Sequence, residues 1–142
     1  MKKVKLQADY TYEFHLIGIV SNSKEYSVSW SINDALHLSL KKEKDLEIDL
    51  LKQGKIRVSN YLYESNFMRY SLITNKILNS QDQIQRHFIP SLSSFDYLLK
   101  IEELEEVENI EVTFKKLRNA KNIDSIIKLD INKIKEKESF LF

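Results

Sequence analysis

The sequence predicts one α+β domain, in which a mostly antiparallel sheet of about six strands carries two helices on one face. Several segments of strand length alternate apolar and polar residues, and two longer segments repeat apolar residues at helical spacing. The 142 residues, 42% of them hydrophobic, suit a single core of ordinary size. Residues 1–142 are therefore expected to form one domain with two layers, a variant of the ferredoxin-like or ACT-like arrangement.

The first third of the chain reads as strand, helix, strand. A strand is predicted over 10–20, where apolar residues first alternate and then occupy both faces, as in a strand that enters a sheet interior. A Ser-Asn-Ser turn follows, and Val28 and Ile32 then begin an apolar repeat that predicts a helix over about 24–39. Strict alternation predicts a half-buried strand over 45–50.

The middle of the chain predicts more strands and one long loop. Segments 56–64 and 67–75 are rich in β-branched and aromatic residues and, with 45–50, predict a three-stranded antiparallel meander. The stretch 76–94 lacks a sustained period and contains the only proline, so it is expected to be a long loop. Strand character resumes over 95–101.

The last part predicts a second helix, a strand and a tail. One helical stripe is formed by Leu104, Val107, Ile110, Phe114 and Leu117. Glutamates at the start of this segment and basic residues at its end match the helix dipole. A final strand is expected over 123–130, and the tail 131–142 is expected to dock on the body through Phe140-Leu141-Phe142.

Composition excludes several classes of partner and compartment. The chain has 22 basic and 21 acidic residues, evenly spread over both halves, which gives no support to nucleic acid binding. It has no cysteine for disulfides or thiolate sites. No apolar run approaches the roughly 20 residues that cross a bilayer, and the residues after the basic start are too polar for a signal peptide. A cytoplasmic protein without a membrane partner is expected.

The histidines, glycines and carboxylates of the chain do not form a known catalytic or metal-binding pattern. His15, His37 and His87 lack zinc spacing, and two isolated glycines cannot build a phosphate loop. The six carboxylates between Glu102 and Glu111 suit either a calcium or docking site or, more simply, the solvated face of a helix. We therefore expect no metal, no cofactor and no catalytic residue.

Aromatic residues in the predicted strands allow two interpretations. A base-stacking platform, as in an RNA recognition motif, also needs basic residues interleaved on the sheet. Ordinary sheet packing needs only the aromatics and is favoured. The set consists of Tyr10, Tyr12, Tyr61, Tyr63, Phe67 and Tyr70.

The segment 85–97 combines a rigid backbone with polar side chains. Pro90 fixes its own φ and directs Ile89 toward extended geometry. Asp96 and Tyr97 then point to opposite faces of the next strand. Their polar atoms either cap amides of the loop or face a partner, and capping is the commoner use.

This segment resembles the signature of a small bacterial family named IPExxxVDY. The signature is written here Ile89-Pro90-Ser91-Leu92-Ser93-Ser94-Phe95-Asp96-Tyr97, with Ser91 in place of glutamate and Phe95 in place of valine. Similarity extends through Leu16-Ile17-Gly18-Ile19, through Tyr26, Trp30 and Asn33, through Leu72-Ile73-Thr74-Asn75-Lys76 and through the chain's last eight residues. The resemblance implies no activity, ligand or catalytic residue. The absent glutamate argues against a carboxylate-dependent reaction at the signature.

The leading functional hypothesis is a non-catalytic domain that binds a protein partner. A small-molecule sensor of ACT-like type is the alternative by fold analogy. An enzyme that uses Asp96 with Tyr97 or His87 is a third reading, disfavoured because the sequence shows no cleft or poised group. The sequence is also compatible with a homodimer. The candidate binding residues are Trp30, Asn33, Arg86, His87, Pro90, Asp96 and Tyr97.

Overall fold

The computed structural model describes residues 13–50, 54–78, 86–103 and 109–142. The strands in these ranges are β1 Phe14–Val20, β2 Lys41–Lys42, β3 Leu46–Leu50, β4 Gly54–Val58, β5 Asn60–Glu64, β6 Met68–Thr74, β7 Tyr97–Glu103 and β8 Ser125–Leu129. The α-helices are α1 Glu25–Leu36 and α2 Ile110–Arg118, and three short 3-10 helices span Pro90–Leu92, Ile131–Lys133 and Lys137–Phe140.

Six strands form one sheet in the order β2-β5-β6-β7-β1-β8, and every pairing is antiparallel. β6 and β7 occupy the middle of the sheet, and β1 pairs with the other side of β7, with Gly18 opposite Leu98. The predicted α+β class with a six-stranded antiparallel sheet is confirmed. Residues 10–12 of the predicted first strand lie outside the described residues.

Both helices pack on one face of the sheet, as predicted. Ile17 and Ile19 of β1 are fully buried beneath Val28 and Ile32 of α1. α1 ends at Leu36, three residues before the predicted end, because His37 adopts a left-handed backbone with φ 57°. His37 is thus the residue that closes the helix, and not part of its last turn.

The start of α2 corrects a prediction. The helical stripe was expected to begin near Leu104, but Asn109 has an extended backbone and its side chain accepts a hydrogen bond from the Glu111 amide at 2.9 Å. The helix therefore begins at Ile110. Glu102 and Glu103, predicted on a solvated helix face, belong to β7 instead. The remaining residues of the predicted first turns, 104–108, lie outside the described part of the chain.

A second apolar cluster covers the opposite face of the sheet and adds a third layer to the two predicted. The hairpin of β3 and β4 buries Ile56 and Val58 there. The tail joins the same cluster through Phe140, which is fully buried and whose ring centroid lies 5.9 Å from that of Phe88. The predicted strand 56–64 is in fact two strands, which separate at the buried Ser59 and belong to different sheets.

Gly18 allows a close approach between β1 and the signature segment. A Cβ atom at this position would lie 2.6 Å from Cδ1 of Phe95, well inside normal contact distance. The glycine is required because the Phe95 ring occupies the space that any side chain would fill.

Candidate functional site

The Asp-Tyr pair of the signature ties the start of β7 to the turn between β1 and α1. The Ser21 amide donates a hydrogen bond to Oδ2 of Asp96 at 2.9 Å, and the Asp96 amide donates to the carbonyl of Ile19 at 2.8 Å. The hydroxyl of the buried Tyr97 donates to the carbonyl of Ser23. The sequence favoured capping of the loop's own amides, whereas both side chains bond to the turn after β1, Asp96 to an amide and Tyr97 to a carbonyl.

A small polar cleft lies at this junction. Its volume is about 220 Å³, and Thr74 on its wall donates to the carboxylate of Glu25, in the first turn of α1, at 3.1 Å. Burial, with the nearby charges of Glu25 and Asp96 and with Tyr61, raises the pKa of Tyr97 to about 12. The hydroxyl thus stays protonated at neutral pH. The lining residues are Ser21, Asn22, Ser23, Thr74, Lys76, Asp96 and Tyr97.

Asn75, which the sequence analysis did not single out as a site residue, holds the signature loop in place. Its fully buried amide donates to the carbonyls of Leu92 at 2.9 Å and Phe95 at 3.1 Å, and its oxygen accepts from the Ile89 amide at 2.8 Å. A strand-end asparagine is a common turn residue, so spacing alone gave no signal for these long-range contacts. Ile89 and Leu92, in the described part of the predicted loop 76–94, are thus both bonded to this side chain.

Pro90 and Ser91 connect the signature to the C-terminal tail. Pro90 is exposed and begins a 3-10 helix, which suits its fixed φ. The Ser91 amide donates to a carboxylate oxygen of Glu136 at 3.0 Å, and the Ser91 hydroxyl donates to the other oxygen. At the position where the signature has glutamate, a serine therefore binds a glutamate from the tail.

The other predicted site residues lie apart from the cleft. Asn33 accepts from the Leu40 amide at 2.8 Å and donates to its carbonyl, so its side chain closes the connection after α1. The carbonyl of the exposed Arg86 accepts from the Ile77 amide at 3.0 Å, and His87 forms an isolated β-bridge with Lys76. Of the seven predicted residues, only Asp96 and Tyr97 line the cleft together.

The outer side of α1 exposes two large aromatic rings. Tyr26 is 61% exposed and Trp30, the only tryptophan of the chain, is 55% exposed. They stand one helical turn apart. Trp30 is the one predicted site residue that exposes a large hydrophobic side chain, whereas the sequence did not place Tyr26 in the site.

A buried lysine forms the second polar feature that sequence reasoning missed. Lys100 in β7 is 2% exposed, and its ammonium donates to the carbonyl oxygens of Phe140 at 2.7 Å and Phe142 at 3.0 Å. It also lies 4.2 Å from the ring centroid of Phe142 and 4.8 Å from that of Phe14. Burial lowers the pKa of Lys100, while Glu102 acts in the opposite direction. These contacts hold the tail against the sheet beside a cavity of about 360 Å³.

The described residues contain neither a metal-ligand cluster nor a helix able to span a membrane. There, no group of three or more histidine and carboxylate side chains is arranged to hold a metal ion. Neither helix has the length and apolar composition that crossing a bilayer requires.

Comparisons with known proteins add no relatives. No family model, no curated protein and no solved structure matches the chain. The resemblance to the IPExxxVDY signature therefore stays a prediction, and the function has to be argued from the geometry alone.

Proposed function

We propose that the chain is a non-catalytic cytoplasmic domain that binds another protein through the outer face of α1. The observation that carries this proposal is the pair of exposed rings, Tyr26 at 61% and Trp30 at 55%. Tryptophan and tyrosine are the residues most enriched among those that dominate binding energy at protein interfaces. Two of them on successive turns of one helix form a compact anchor for a partner.

Buried side chains and hydrogen bonds fix the position of α1, which carries these two rings. Val28 and Ile32 are fully buried on its inner side. The Thr74 hydroxyl bonds to Glu25 at its first turn, and the two bonds of Asn33 with Leu40 hold its last turn. A partner would therefore meet a preorganised surface, and binding would cost little conformational entropy in this domain.

The small-molecule sensor has less support. The cleft of about 220 Å³ is smaller than the roughly 300–1,000 Å³ of typical ligand pockets. Its side chains bond to the protein itself, as Asp96 does to the Ser21 amide. The larger cavity of about 360 Å³ contains Lys100, whose ammonium is bonded to main-chain oxygens of the tail.

The enzyme hypothesis is also weaker than protein binding. Asp96 and Tyr97 share the cleft, but the Tyr97 hydroxyl donates to the Ser23 carbonyl and its pKa is raised to about 12. General base catalysis at neutral pH needs a group with a pKa near 7. His87 does not line the cleft.

Site-directed photo-cross-linking tests the proposal. A benzophenone amino acid replaces Trp30 in one variant of the full chain and Val112, 43% exposed on α2, in a matched variant. We expect the benzophenone at position 30, but not the one at position 112, to form a cross-link to one discrete protein. Added wild-type chain should compete for that protein and reduce the cross-linking, whereas added Trp30→Ala should not. Equal cross-linking from both positions, or equal competition by Trp30→Ala, would count against the proposal.

A thermal-shift screen of small metabolites tests the alternative. A ligand at 100 times its dissociation constant stabilises a protein by about 2.7 kcal/mol. Such a shift, abolished by Asp96→Asn, would favour the sensor.

A further inference from the structure

The exposed face of α1 has an arrangement that matches itself under two-fold symmetry. Tyr26, Trp30 and Asp34 are all exposed and lie four residues apart. At about 100° per residue, Trp30 points directly away from the midpoint of the buried Val28 and Ile32, and Tyr26 and Asp34 lie about 40° to either side of it. Trp30 is therefore the centre of this face, with a hydroxyl donor on one side and a carboxylate acceptor on the other.

From this pattern we infer that the partner bound by α1 is a second copy of this chain, with two α1 helices packed antiparallel about a two-fold axis at Trp30. This inference rests on the proposed function and names its partner. In a two-fold interface, residue i contacts j and j contacts i. The axis sets the two Trp30 rings side by side and brings each Tyr26 hydroxyl next to Asp34 of the partner subunit. One surface thereby supplies both the apolar centre and the two flanking hydrogen bonds.

The size of this contact sets its strength. A helix of 12 residues is about 18 Å long, so a single pair of helices buries less than the roughly 1,200 Å² of a standard stable interface. The dimer is accordingly weak and concentration-dependent.

Sedimentation equilibrium of the full chain between about 5 and 1,000 μM tests the dimer. The weight-average mass should rise from 16.8 kDa toward twice that value, and the emission of the only tryptophan should shift to shorter wavelength over the same concentrations. Trp30→Ala should remain a monomer with unchanged thermal unfolding, since the ring is exposed. A mass that stays at the monomer value at all concentrations overturns the inference.

A charge exchange tests the antiparallel register. Tyr26→Glu places one carboxylate beside each Asp34 across the interface, and this like-charge contact should weaken the dimer at least about tenfold. Tyr26→Glu combined with Asp34→Lys should restore the dissociation constant to within about threefold of wild type. Val112→Glu adds the same charge on α2 and should have no effect. Absence of rescue by the double variant, or equal weakening by Val112→Glu, overturns the register and with it the proposed dimer.

The two proposals fail in distinguishable ways. If the chain remains a monomer while position 30 cross-links a different protein, the homodimer is wrong and the protein-binding function stands. If Trp30→Ala self-associates like wild type and also competes for the cross-linked protein as well as wild type does, both are wrong.

Discussion

Substitution of Gly18 by alanine should destabilise the protein through one contact. The added Cβ would lie 2.6 Å from Cδ1 of Phe95 and 2.8 Å from both Cγ and Cε1, whereas carbon atoms normally pack at about 3.5–4.0 Å. The ring would have to move by about 1 Å. Its backbone resists such a move, because the Phe95 carbonyl accepts from Asn75 at 3.1 Å and the Phe95 amide donates to Leu92 at 2.9 Å.

The expected cost follows from two opposing effects. Overpacking of a core costs about 1–3 kcal/mol. Replacement of a strand glycine by alanine recovers about 0.5–1 kcal/mol of conformational entropy. Because three ring atoms are affected at once, we expect a net loss of about 2 kcal/mol and a melting temperature lower by about 8 °C.

Equilibrium urea unfolding, followed by far-ultraviolet circular dichroism, measures this loss. Phe95→Ala removes the ring together with its Cγ, so Gly18→Ala should stabilise that background by about 0.5–1 kcal/mol, which gives a coupling energy of about 2.5–3 kcal/mol. Gly54→Ala is the matched control: Gly54 has φ +80° and open space around its Cα, so its cost of about 1–2 kcal/mol comes from the backbone and is independent of Phe95. Unfolding of Gly18→Ala at the same urea concentration as wild type, or an equal cost with and without the Phe95 ring, would show that this contact does not limit position 18.

Three further predictions concern the signature loop and the tail. Asn75→Ala should lower the free energy of unfolding in urea by about 3 kcal/mol, because it removes three hydrogen bonds and leaves the buried Ile89 amide without an acceptor. Asn66→Ala, at an exposed turn, should change it by less than about 0.5 kcal/mol. Similar values for both variants would contradict the role of Asn75 in holding the loop. The pKa of the Tyr97 hydroxyl is raised from 10.0 to about 12 in the folded protein, so the unfolded chain loses this proton at lower pH than the folded chain. The contribution of the protonated hydroxyl to stability is therefore fully present below pH 10 and is lost as pH rises toward 12. The free energy of unfolding of wild type should therefore fall toward that of Tyr97→Phe over this window, and parallel curves would show that Tyr97 does not titrate as described. Phe140→Ala should lower the free energy of unfolding by about 3–5 kcal/mol, because the ring is fully buried. Leu141→Ala, at a neighbour that is 45% exposed, should lower it by less than about 1 kcal/mol. The reverse order would mean that the tail does not dock through Phe140.

Local periodicity predicted most of the elements, because a side chain's alternation or helical spacing depends only on its own segment. The strand before Val20, the helix over Val28 and Ile32 and the strand that ends at Leu129 were all found close to the predicted positions. The fold class follows from the number and order of such segments. The partners of Asp96 and Tyr97 were not predictable from their own segment, because they lie in the turn after β1, about 75 residues earlier in the chain.

Tertiary structure decided the features that depend on distant segments. The chain separates at Ser59 into two sheets because Ile56 and Val58 are needed in the second core, which no local pattern records. Asn75 and Lys100 hold the loop and the tail, respectively, through hydrogen bonds to their carbonyl oxygens. These bonds join residues far apart in the chain, so no local pattern predicts them.

The functional surface was also decided at this level. The local sequence around a helical tryptophan does not show whether neighbouring elements cover its side chain or leave it exposed to solvent. Only the placement of α1, with Val28 and Ile32 facing the sheet, left Trp30 and Tyr26 in solvent. The sequence by itself determined which segments are helix and strand, because those patterns are local; the packing of these elements determined which side chains remain available to a partner, because burial depends on contacts between residues far apart in the chain.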